Sequence, residues 1–102
     1  MNDKSQTQLA IDIIRSVTDI FWEPDGGNWV ARMRTVLQSI DPEKHQLIEC
    51  IAMLRTTFQF RYLFAKEWNS LLTRSKQKYP LAIKTFRGLE LIEQQPTDIT
   101  ED

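Results

Sequence analysis

Helix-breaking residues are scarce in this chain, and their absence from one stretch limits what it can fold into. Prolines stand at 24, 42, 80 and 96 and glycines at 26, 27 and 88, so the 37 residues between Pro42 and Pro80 contain neither. Proline removes a helical hydrogen bond and clashes with the preceding turn, while glycine costs helical order through its backbone freedom. A chain of 102 residues punctuated this lightly reads as a few helical segments in one domain.

The first segment runs from Ser5 to about Phe21. Ser5 and Gln8 have the spacing of a capping box. Leu9, Ala10, Ile13, Ile14, Val17, Ile20 and Phe21 recur at helical spacing and predict one buried face, with Asp12, Arg15 and Asp19 opposite. The stretch from Trp22 to Trp29 reads as a loop around Pro24 and Gly26-Gly27, with Asn28 as the N-cap of a second amphipathic helix carrying Trp29, Val30, Met33, Val36, Leu37 and Ile40. Asp41 precedes a proline and so ends that helix; its carboxylate is placed to cap the next, with Pro42 at the first helical position.

From about 42 to 78 the pattern predicts one long helix, continuous or gently bent. Unbent, it would extend about 55 Å, against a radius of gyration of about 13 Å for a compact domain of this size. Such a helix must bend, break or pair with another chain. Its weak point is 56–60, where β-branched and aromatic residues cluster. Pro80 opens a further helix to about Gln94, and residues 95–102 read as a disordered acidic tail. The expected fold is therefore all-α, a small bundle of three to five helices over 1–94, built around the helix from 42 to 78.

Two faces of the long helix are apolar. Leu47, Ile51, Leu54, Phe58, Ala65, Trp68 and Leu72 follow a core seam, and Phe60, Leu63, Phe64 and Leu71 fall on the opposite side. A second apolar face needs a cover. A small helical protein has few helices to supply one, so these four residues are the candidate partner-binding surface, and a homodimer is the expected assembly.

Charge provides the alternative. The net charge is −1, yet residues 61–88 carry seven cations against Glu67 alone, and 89–102 carry five acids and no base. Arg74, Lys76, Lys78, Lys84 and Arg87, interleaved with Tyr79 and Phe86, have the composition of a nucleic-acid surface. A pI near 5.8 and the absence of a recognisable DNA- or RNA-binding motif weigh against it.

The residues suggest no metal and no cofactor. His45 and Glu49 supply two ligands where zinc wants three or four, and His45 and Cys50, five apart, point in different directions on a helix. Position 34, where a calcium loop opening at Glu23 would need an acid, is Arg34. No carboxylate pair, phosphate loop or dinucleotide fingerprint suggests catalysis. One cysteine forms no internal disulfide and suits the cytosol. The N-terminus lacks the pattern of a signal peptide, and no apolar run approaches a bilayer span. The function expected is a non-enzymatic cytosolic interaction module, such as an adaptor, regulator or inhibitor, that self-associates through an apolar helix face.

Overall fold

The computed structural model describes residues 4–22 and 28–84. Helices α1 (Gln6–Trp22), α2 (Trp29–Ser39), α3 (Leu47–Thr56) and α4 (Ala65–Lys78) form the bundle, with a 3-10 helix (Phe58–Phe64) joining α3 to α4. Residues 80–84 are again helical, and there is no strand among the described residues. The all-α expectation holds.

The caps follow the sequence in part. Ser5 Oγ accepts the Gln8 amide at 3.1 Å, but the Gln8 side chain turns away to donate to Asp12 at 2.8 Å. Asn28 makes no side-chain cap on α2 and has helical dihedrals itself. Asp41 caps a single turn rather than a long helix. Its carboxylate accepts the Glu43 amide at 3.0 Å, and its carbonyl accepts the amides of Lys44 and His45 at 2.8 Å. The turn then stops, and α3 begins at Leu47 with the Glu49 carboxylate accepting the Gln46 amide at 2.8 Å. At the other end, Tyr79 leaves helical dihedrals one residue before Pro80, as the steric demand of proline requires.

The long helix expected over 42–78 is therefore four pieces, the Asp41 turn, α3, the 3-10 helix and α4, and the largest change of course among them lies between α3 and α4. The break falls at Thr57, inside the β-branched and aromatic cluster. Thr56 and Thr57 turn their hydroxyls back onto the carbonyls of Ala52 and Met53, both at 2.6 Å. Such bonds compete with the helical ladder and bend it. Beyond the break the Phe60 ring packs against Phe21 at 4.8 Å and Trp29 at 5.6 Å, which fastens the 3-10 helix to the ends of α1 and α2. The Arg61 guanidinium lies 3.8 Å over the Phe58 ring and donates to the Phe58 carbonyl.

The turn folds α4 back along α3. Trp68 is buried and donates its indole Nε1–H to the Leu54 carbonyl at 3.2 Å. Around it the core gathers Val17, Met33, Leu37, Met53, Leu54, Phe64, Leu71, Leu72 and Ile83. The most extensive packing is between α1 and α3, while α2 rests on α4 and the 3-10 helix. Residues 85–102, including the expected acidic tail and most of the expected last helix, lie outside the described residues, as does the centre of the loop between Trp22 and Trp29.

Candidate interaction surfaces

The four residues expected to face a partner are placed inward. Phe64 is 1% exposed and Leu71 fully buried, both in the central core; Phe60 and Leu63 are partly buried against it. The expectation that this face lacks an internal cover is corrected. It treated 42–78 as one axis with two sides. Because the chain turns at Thr57, Phe64 and Leu71 join the core rather than facing solvent, and the Arg34 guanidinium reaches across to the Leu63 carbonyl at 3.4 Å. Arg34 also pairs with Glu67 at 3.5 Å, closing the α2–α4 edge.

The basic run divides. Lys78 Nζ donates to the Pro42 carbonyl at 2.9 Å and lies 3.6 Å from the Glu43 carboxylate. Arg74 donates to the Ile40 carbonyl at 3.5 Å and sits 3.8 Å from Asp41. These two cations brace the turn between α2 and α3 against α4, and the shallow groove of about 340 Å³ between them is lined by both signs of charge. Lys76 and Lys84 are exposed, and Arg87 lies outside the described residues.

His45 helps close the Asp41 turn: its Nδ1 lies 3.1 Å from the Asp41 amide, whose hydrogen it accepts. Cys50 is buried, and that burial raises its thiol pKa above the ordinary value. Such a thiol is a poor nucleophile. Among the described residues, no group of three or more His, Cys, Asp and Glu could hold a metal ion. No helix of the described residues is long and apolar enough to cross a membrane.

What sequence reasoning missed lies on α1. At about 100° per residue, the apolar side chains from Leu9 through Ile13, Val17 and Ile14 to Ile11 and Trp22 cover roughly 220° of its circumference, about twice the stripe that one neighbour buries. The half around Val17 packs inward. The remainder does not: Ile11 is 39%, Ile14 45% and Trp22 82% exposed. Thr7 and Thr18, both exposed, fall between them, so the stripe carries no charge along the length of α1. At its C-terminal end it opens into a depression of about 350 Å³ lined by Phe21, Trp22 and Phe60. The sequence pattern places Trp22 in the loop, Ile11 on neither face and Ile14 on the buried one, where it is instead exposed, and so hides the width of the apolar arc. Tyr62, on the 3-10 helix, is a further exposed ring at 71%.

Comparison with models of known protein families, with curated proteins and with solved structures returned no match.

Proposed function

We propose that this protein is a non-enzymatic, cytosolic interaction module, an adaptor, regulator or inhibitor, that engages another protein through the outer face of α1. The observation that carries the reading is the uncharged stripe of Ile11, Ile14 and Trp22 running into the aromatic depression at Phe21 and Phe60. Apolar side chains at helical spacing are how an amphipathic partner helix is held, and a large ring beside a depression is a typical anchor. Self-association belongs to the same proposal. The nucleic-acid reading has less support, because Arg74 and Lys78 are engaged with carbonyls and carboxylates of their own chain.

Capture from a nuclease-treated native extract tests the proposal, using the wild type and an Ile11→Lys/Trp22→Ser variant whose helicity is checked by circular dichroism. Both positions have exposed surface, so the variant should fold. A partner protein held by the wild type and lost by the variant supports the reading. Equal capture by both overturns the assignment to α1, and capture that vanishes with nuclease overturns it in favour of nucleic acid.

A further inference from the structure

The connection between α3 and α4 differs from the other turns in having no residue that enforces it. From 43 to 79 there is no proline or glycine. Helix α3 ends on Thr57 (φ −97°, ψ 3°), and α4 begins after Phe64 (φ −140°, ψ 49°) with no side-chain cap. Between them lies a 3-10 helix of seven residues, about twice the usual length of such a run, and a long 3-10 stretch within a helical pattern marks a hinge. A 3-10 helix is in general close to an α-helix in its dihedrals, so conversion of its interior changes hydrogen-bond partners more than path, and the rotation needed falls on Thr57 and Phe64 at its two ends. The bend is held instead by contacts distant in sequence: Trp68 to the Leu54 carbonyl, Phe60 between Phe21 and Trp29, and Arg34 to the Leu63 carbonyl.

We infer that residues 57–64 are a hinge at which α3 and α4 fuse into one helix, and that two copies of this chain exchange α4 through it to form a domain-swapped dimer. In a fused helix Leu54 and Trp68 stand about 21 Å apart along the axis, so their hydrogen bond cannot close within one chain. Between two copies it can. The α4 of each copy takes the place of the other's, and every contact that α4 makes is remade across the pair, with only the hinge changed. The fused helix also brings Phe60, Leu63, Phe64 and Leu71 onto one face, within an arc of roughly 100°, which the second copy covers. The occupant is thus this chain itself, argued from contacts it already makes. The inference deepens the self-association in the proposed function and rests on that part of it, using residues separate from the α1 stripe.

The test uses the full chain refolded from urea at low micromolar and at millimolar concentration, with mass measured by sedimentation. Gln59 and Tyr62 are exposed on the 3-10 helix, so replacing them changes helix preference while losing little packing. Gln59→Ala/Tyr62→Ala should raise the dimer association constant about tenfold, and Gln59→Gly/Tyr62→Gly should lower it about as much. In an equal mixture of isotope-labelled and unlabelled chains refolded together, contacts between the Trp68 indole and Leu54 should join labelled to unlabelled chains. A dimer in which those contacts stay within one chain overturns the inference, as does a monomer for wild type and Ala variant at every concentration. If Ile11→Lys/Trp22→Ser abolishes the dimer while the hinge variants leave it unchanged, self-association belongs to α1: the hinge fails and the proposed function stands.

Discussion

Truncating Phe64 separates the internal role of its ring from a role at a partner surface. The side chain is 1% exposed in the central core, so Phe64→Ala removes nearly the whole ring from a packed site. Large-to-small changes of this kind cost about 3–5 kcal/mol, the transfer term plus the cavity left behind. A domain of this size has about 5–15 kcal/mol in hand, so the loss is a large share of the total. With a urea m-value of about 1.5 kcal/mol per molar, the denaturation midpoint falls by roughly 2–3 M. Tyr62→Ala, two residues away and 71% exposed, is the control. A surface change of that kind stays within about 0.5 kcal/mol. Both are measured by urea denaturation at low micromolar concentration and again at a tenfold higher one. A cost inside the monomer does not depend on concentration, whereas a cost at an interface vanishes in dilute solution and grows with mass action. The reasoning is refuted if Phe64→Ala behaves like Tyr62→Ala in dilute protein and loses stability only when concentrated.

Other residues make sharper local tests. Cys50 should resist a thiol reagent in the folded protein and react at the rate of unfolding, since burial raises its thiol pKa and hides the sulfur; rapid labelling without denaturant would contradict the buried placement. Trp68→Phe leaves the Leu54 carbonyl without its donor and should lower stability by about 1–3 kcal/mol, with the loss of amide-exchange protection concentrated at the end of α3. Lys76→Gln/Lys84→Gln should leave the unfolding free energy from urea denaturation within about 0.5 kcal/mol of wild type, because both side chains are exposed. At the N-terminus of α1, the Lys4 ammonium at 2.6 Å and the Gln8 amide hold the Asp12 carboxyl below its ordinary pKa. Its contribution is therefore complete above the ordinary carboxylate range and fades as pH falls through the lowered folded value, which an NMR titration of the first turns of α1 would show as fraying at acid pH only.

Much of the architecture was legible because it is written in local chemistry. The apolar spacing of α1 and α2, the Asp41-Pro42 boundary and the stop before Pro80 each follow from one or two residues acting on their own backbone. Asp41 shows the limit. Its capping chemistry is as expected, but whether one turn or ten follow it depends on Gln46 and Glu49 restarting the ladder, and on Lys78 and Arg74 clamping the turn from a helix more than thirty residues away.

The surface was less legible than the fold, for a reason that lies in Thr57. Helical periodicity assigns faces about a single axis, so any unmarked break rotates every later residue onto a different side. Phe60, Leu63, Phe64 and Leu71 share one face only on an unbroken helix; across the break they close the core. Nothing at 56–60 forbids helix, and the hydroxyls of Thr56 and Thr57 alone are too weak a stop. The bend exists because Phe60 finds Phe21 and Trp29, and Trp68 finds Leu54, which are contacts between segments that no local window contains. The same displacement explains α1. With α4 folded back, the apolar side of the old long helix is already covered, and the bundle has no further described helix to lay over Ile11, Ile14 and Trp22. The unpartnered surface thus moved from the longest apolar stretch of the sequence to a shorter helix whose apolar arc is too wide for its neighbours.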